Sequence, residues 1–307
     1  NGLLALQGLP RVGPSRAVSI ASHFRNLDNL ASCSPDELKS IVGAVARDIH
    51  GLLGRLRIVD ALPDGINSVC VFDKSWPAWM STVKQPPGVL FFRGTIPDGS
   101  GVAIVGTREP TQFGLAVVDK VVASAASAAM GVISGLARGI DAAAHGAALK
   151  RGLRTWAVLG GGVDVPTPFE NRDMAEEMVE SGGGLISEQL PGAAPNPQRL
   201  VSRNRLQVAA SRVVVVAQTG ATGGTIHTAR FAIEQDKKLV VARPDSRWES
   251  EPQSLGNLLL TDISGCDPGV FGGDKKLAAK IATRMPVADV VLRRGDELDS
   301  LWVSIGD

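Results

Sequence analysis

The chain has 307 residues, 44% of them hydrophobic and 21% charged, with aromatics at 4% and no tyrosine. Those fractions are those of a soluble globular protein and exclude a disordered or fibrous chain, while the length suits one large domain and a smaller one. A formal net charge of +1 excludes a global field that draws the chain to polyanions, so any such site has to be a local patch.

Residues 3–54 read as short helices arranged about a Pro/Gly turn at Gly8–Pro14, with Ser34 and Glu37 spaced as a capping box. The turn resembles a helix-hairpin-helix phosphate-binding element, but Arg11 stands where its first glycine is expected, and a helical cap is the expected role. Residues 55–100 form a join, with strands predicted in VCVF (69–72) and in QPPGVLFFRG. Trp76 and Trp79, beside prolines and apolar residues, are expected in the core.

From Gly101 the pattern becomes an alternation of strand and helix. The apolar runs are VAIVG (102–106), GVISG (131–135), TWAVLGG (155–161), GLIS (184–187), VVVVAQ (213–218) and LVVAR (239–243). Helices are predicted near 114–130, 140–151, 171–181, 203–211 and 225–235. Strands apolar on both faces, separated by helices, predict a doubly wound, mostly parallel α/β sheet. After Pro244 the signal fades to loops, a helix in LAAKIATRM and a terminal element in VADVVL. The domains expected are a small all-α domain over 1–65, a Rossmann-like domain over 66–260 and an extension over 261–307.

The three cysteines, Cys33, Cys70 and Cys266, are scattered, which fits a reducing, cytoplasmic setting and provides no disulfide frame. No apolar run approaches the roughly 20 residues that span a bilayer, so no membrane association is expected, and the N-terminus lacks a signal-peptide layout.

In an open parallel sheet, ligands bind beyond the carboxyl ends of the strands. The residues there are Gly106, Thr107 and Arg108, then Ser134, Gly135, Arg138, Gly139 and Asp141. After the third strand come Gly160–Gly162, Pro168, Glu170, Asn171 and Arg172; after the fourth, Ser187 and Glu188; after the fifth, Gln218 and TGATGGTIHT. Glycines admit a ligand close to the backbone, helix starts supply N–H donors, and arginines supply forked donors for phosphate oxygens. QRLVSRNRLQ adds Arg199, Arg203, Asn204 and Arg205, with no acid between Gln189 and Ala217, so this segment is expected to carry uncompensated positive charge facing the rim.

No cofactor is expected, because the G-x-G-x-x-G turn and the P-loop are both missing. Ser134 and Ser187 lack a nucleophile elbow and the four histidines lack metal-ligand spacing, so no catalytic set and no metal site are expected. His145 is read as a packed helix residue, Asp141 as a possible helix cap, and Glu188 as an orderer of neighbouring arginines rather than a general base.

The blocks AIVGTREPTQFG, SGLARGIDAAAH, AVLGGGVDVPTPFENR, ISEQLPG, SRNR and TGGTIHTARFAIEQ, in this order, resemble the DNA-processing protein A (DprA/Smf) family over about 75–244. The resemblance implies an extended Rossmann domain, a non-enzymatic single-stranded-DNA-binding protein, a homodimer, and a RecA-type recombinase that it helps to load in transformation or recombination. Carried over by motif, the DNA pocket falls on Arg108; on Ser134, Gly135, Arg138 and Gly139; on Phe169 and Asn171; on Arg203 and Arg205; and on Gly223, Gly224 and Thr225. Thr167 departs from the usual aromatic before Pro168, ARPDS departs from a strand-ending Pro-Gly, GNLLLTDISGC only loosely follows the family's asparagine-bearing loop, and no complete winged helix follows. A nucleotide-binding sensor or nucleotide hydrolase of the related LOG-like folds is the alternative, against which the missing P-G-G-x-G-T-x-x-E pattern counts.

Overall fold

The computed structural model describes residues 6, 12–24, 27–51, 53, 62–262, 286–296, 298 and 302. Contacts divide the chain into two compact units, Asn1–Trp76 with Lys84–Phe91 and Pro77–Val83 with Phe92–Asp307.

The first unit holds helices α1 (Pro14–Phe24), α2 (Leu27–Ala31), α3 (Pro35–Val42) and α4 (Ala46–His50), followed by strand β1 (Asn67–Cys70). Ser34 starts α3, its Oγ accepting the Glu37 N–H at 3.1 Å, as the capping spacing predicts. The helices bury Ala17, Ile20, Phe24, Leu30, Leu38 and Ile49. Arg11 and most of the Gly8–Pro14 turn lie outside the described residues. The strand predicted at 69–72 is found two residues earlier, because Asp73 accepts the Cys70 N–H on Oδ2 at 2.7 Å and turns the chain. Phe72 is left 55% exposed.

The second unit carries the end of β2 (Val89–Gly94), then β3 (Gly101–Gly106), α5 (Gln112–Ser127), β4 (Val132–Ser134), α6 (Ile140–Lys150) and β5 (Thr155–Leu159). Next come α7 (Arg172–Glu180), β6 (Gly184–Ser187), α8 (Pro197–Ser202), α9 (Asn204–Ala209) and β7 (Ser211–Gln218). The last elements are α10 (Gly224–Glu234), β8 (Lys238–Ala242), α11 (Leu255–Thr261) and β9 (Val290–Leu292). Its strands run in the order β2-β6-β5-β4-β3-β7-β8-β9, and every pair from β6 to β9 is parallel. This is the predicted doubly wound α/β architecture.

Apolar runs make these strands because alternate side chains serve opposite faces. Val102, Ile104, Val213, Val215 and Val240 pack with Val118, Val121 and Val122 of α5 and Ile140, Ala144 and Ala148 of α6. Ala103, Val105, Val214, Val216 and Val241 pack on the other face with Val208 of α9, Ile226, Ala229 and Ile233 of α10 and Leu260 of α11. Each valine so buried contributes about 1.5–3 kcal/mol relative to exposure.

Locally the structure departs from the sequence reading in a few places. The helix predicted over 203–211 is found as α9, and an unpredicted helix, α8, precedes it and meets it at Arg203; α8 starts where Asn196 Oδ1 accepts the Arg199 N–H at 2.8 Å. Helix α11 had no periodic signal. VADVVL contributes β9, which pairs in parallel with β8 through Val240↔Val290, while LAAKIATRM lies outside the described residues. Trp79 is core, as predicted, with Nε1 donating to the Pro97 carbonyl at 2.9 Å, whereas Trp76 is half-buried.

Strand β3 sits between β4, its successor, and β7, reached only after the chain has crossed back. The connections at the carboxyl ends of β3 and β7 therefore diverge, and a crevice opens beyond the last pair of that ladder, Gly106 with Gln218.

Candidate nucleic-acid interface

That crevice is a groove of about 1020 Å³. One wall comes from the turns after β3 and β4, a second from Thr167–Pro168 and from Pro195, Pro197, Leu200 and Val201 of the α8 segment, and a third from Thr219–Thr225 at the start of α10. Of the residues picked from sequence, Gly106, Thr107, Arg108, Gly135, Arg138, Asp141, Arg203, Asn204, Gly223, Gly224 and Thr225 line it.

Glycines shape the turns. Gly139, at φ +78°, precedes α6, and a Cβ there would strike the backbone of Thr107 and Arg108. Gly135 lies against Arg203, whose guanidinium occupies the space that a Cβ would take. Gly223, at φ +116°, starts α10 without a side-chain cap, so the first N–H groups of that helix have no capping side chain and its positive end faces the groove. Nothing stands within 4 Å of a Cβ built on Gly223 or Gly224, so the backbone here is open to a ligand.

The arginines divide into two sorts. Arg108 is exposed on the wall and makes no ion pair with an acid among the described residues. Arg138 is exposed too, but its Nε donates to Glu170, and that contact holds Glu170 below the usual carboxylate range. Arg203 is buried at the groove floor, its Nη1 donating to Gln207 Oε1 at 2.7 Å and its Nη2 lying 3.8 Å from Asp141 Oδ2. Burial pushes the Asp141 carboxyl up, and the Arg203 charge opposes that rise. Arg205 turns away from the groove into a bidentate pair with Glu188, both N–O distances 2.7 Å, and Nη1 also donates to the Ser202 carbonyl at 2.9 Å.

The predicted uncompensated charge of QRLVSRNRLQ is thus corrected: Arg203 and Arg205 are balanced by Asp141 and Glu188, acids distant in sequence that the fold brings to them. Glu188 orders an arginine, in keeping with its reading, and Asp141 both accepts the Ala137 N–H at 3.3 Å and faces Arg203.

Five other picked residues lie outside the groove lining. Ser134 is fully buried and donates to the Ile104 carbonyl at 2.7 Å. Gly139 sits behind Arg108. Asn171 is buried and donates from Nδ2 to the Leu136 carbonyl at 2.8 Å, fastening a residue held at φ +62°. Phe169 is 75% exposed beside Thr167–Pro168, and the Arg172 guanidinium lies 4.6 Å from its ring centroid. Arg172 also donates from Nε to the Pro166 carbonyl at 3.3 Å. The pair offers an aromatic face at the edge of the groove.

His145 is fully buried. Thr155 donates its hydroxyl proton to the Val132 carbonyl at 2.9 Å, so His145 Nδ1 is the donor to Thr155 Oγ1 at 2.7 Å. Its Nε2 has no partner, and burial, with the Arg203 charge, lowers its pKa to about 3. Sequence reasoning missed Gln207 and the apolar α8 wall; the Asn196-Pro197 pair, a helix-start signal, would have located that wall. Among the described residues no cluster of His, Cys, Asp and Glu is arranged to hold a metal ion, and no helix is long and apolar enough to cross a membrane.

The model of the family described as DNA recombination-mediator protein A matches residues 67–262. The DNA processing protein DprA of Bacillus subtilis is 32% identical over 225 residues, covering 72% of this chain and 74% of that protein. Among solved structures, DNA processing protein A of Streptococcus pneumoniae superposes with a TM-score of 0.66 at 26% identity, covering 83% of this chain and 88% of that one. DNA processing protein A of Helicobacter pylori, solved for its single-stranded DNA binding mode, superposes with a TM-score of 0.55 at 26% identity, over 71% of this chain and 94% of that one. With the family model spanning β1 to α11, which takes in every strand of the sheet but β9, the chain belongs to the DNA recombination-mediator protein A (DprA/Smf) family of DNA-processing proteins.

Proposed function

We propose that the groove at the switch point binds single-stranded DNA without reading its sequence, and that the protein is a binder rather than an enzyme. The observation that carries this reading is the convergence on one groove of Arg108, Arg138 and Arg203 with the uncapped, glycine-led start of α10. Those groups are donors suited to phosphate oxygens, and they contact a backbone that every sequence shares. Phe169, exposed at the edge, adds a stacking face of about 1–3 kcal/mol per base, equally tolerant of sequence. Three acids nearby, Asp141, Glu170 and Glu188, are each committed to an arginine, which suits them to ordering the groove rather than to acting as a base; Glu109, exposed on the groove wall, makes no such pair among the described residues.

In this reading residues 66–260 carry the binding, with 1–65 a helical accessory domain and 261–307 an extension. The protein works as a homodimer that delivers the strand to a RecA-type recombinase. The H. pylori relative, solved for its single-stranded DNA binding mode, supports the choice of strand.

A titration of labelled oligo-dT and of a duplex of equal length, each at two salt concentrations, tests the proposal. The expected result is tighter binding of the single strand, with log Kd rising linearly in log salt. Equal affinity for duplex and single strand overturns it, as does complete displacement of the strand by micromolar thymidine monophosphate, which assigns the groove to a small nucleotide instead.

A further inference from the structure

The two sides of the groove are joined at the end of β7 by side chains that lie outside it. Gln218, fully buried, accepts the Thr111 N–H on Oε1 at 2.8 Å and donates from Nε2 to Thr111 Oγ1 at 2.9 Å and to Ser254 Oγ at 3.0 Å. Its backbone carbonyl accepts the Thr107 N–H at 2.8 Å, so this residue sets the turn that carries Arg108.

One residue further on, the Thr219 N–H donates to Asn257 Oδ1 at 2.6 Å. Asn257 Nδ2 donates to the Ala217 carbonyl at 3.2 Å and to the Ala242 carbonyl at 2.7 Å. One buried amide therefore ties the ends of β7 and β8 to the first residue of the third groove wall. The Gly256 N–H donates to the Thr219 carbonyl at 2.9 Å, and a Cβ on Gly256 would overlap the Gly220 carbonyl. Asn257 and Ser254 do not line the groove. An amide accepts and donates from one end, which neither a carboxylate nor a leucine of similar size does.

We propose that Asn257 is a positioning residue for DNA binding. With Ser254 and Gln218 it fixes where the loop 219–223 leaves the sheet, and so where the amides of Gly223–Thr225 stand relative to Arg108. The inference rests on the reading of the groove as a single-stranded DNA site, but the bracing itself is measurable without DNA. Loss of the three Asn257 hydrogen bonds frees the loop while the two hydrophobic faces of the sheet remain packed.

The test compares the full chain with Asn257→Leu, Ser254→Ala and Ser254→Thr, using hydrogen exchange over 217–225 and oligo-dT titrations at two salt concentrations. Asn257→Leu is expected to raise exchange at 219–225, weaken oligo-dT binding by about tenfold and reduce the salt slope by about one. Ser254→Ala, which breaks one bond to Gln218, gives a smaller change of the same kind, and Ser254→Thr, which keeps the hydroxyl, restores wild-type values. A folded Asn257→Leu with unchanged exchange, or with raised exchange but wild-type affinity and slope, overturns the proposal. If Asn257→Leu does not fold, wild-type values in Ser254→Ala overturn it. If the wild-type chain binds no oligo-dT, the reading of the groove fails, while the exchange arm still decides whether Asn257 braces the loop.

Discussion

Arg108 and Arg138 occupy the same groove, but only Arg138 starts out paired, and that difference is testable one side chain at a time. In the proposed reading, Arg108→Ala lowers the salt slope of oligo-dT binding by about one and weakens all sequences alike. Glu170→Gln does the reverse: Arg138 no longer has a carboxylate competing with phosphate, so binding tightens and the slope steepens. A salt titration of the two variants reads both, and weaker binding in Glu170→Gln would show that the pair positions Arg138 rather than occupying it. His145 carries a different prediction. Its folded pKa of about 3 lies below the usual 6.5, so its neutral burial contributes stability that is present above pH 6.5 and lost as pH falls toward 3. Denaturation from pH 7 down to pH 4 should show His145→Gln losing less stability than wild type, by about 1.4 kcal/mol per pH unit below 6.5.

At the scale of elements, the turn Ser134–Gly139 is decided by its neighbours. Gly135 gives its missing Cβ to the Arg203 guanidinium, and Asn171 holds the carbonyl of Leu136, which sits in the left-handed region. Gly135→Ala forces the buried arginine to move, and Arg203 has few places to go because Gln207 and Asp141 already fix it. Urea denaturation is expected to show a loss of about 1–3 kcal/mol, the usual cost of overpacking, with weakened oligo-dT binding in the folded fraction. Wild-type stability in this variant would show that the floor of the groove is soft.

For the whole molecule, the proposed role requires that one chain hold a strand and still present a surface to partners. Sedimentation of the full chain should show a dimer, and strand-coated filaments of a RecA-type recombinase should form faster when the protein is added to strands already covered by a single-strand-binding protein. Arg108→Ala is expected to lose that stimulation together with strand affinity. Retained strand binding with no stimulation would separate the groove from recombinase delivery and leave a binder with another partner.

The sequence by itself determined the sheet, because valine-rich runs separated by amphipathic helices have one stable solution, both faces covered. It also located the glycine turns and Arg108, since ligand sites follow the carboxyl ends of parallel strands wherever the register falls. The partners of the arginines were beyond its reach. Asp141 and Glu188 lie 62 and 17 residues before Arg203 and Arg205, and only the packing of α6, β6 and α9 around one crevice brings each acid to its base. The bracing by Asn257 was equally hidden: GNLLLTDISGC follows the family's asparagine-bearing loop only loosely, and the residue's three side-chain bonds reach two strand carbonyls, of Ala217 and Ala242, and the Thr219 N–H just past β7, none of them near it in the chain. Local composition sets which elements form, whereas charge balance and bracing depend on distances that exist only after those elements have packed.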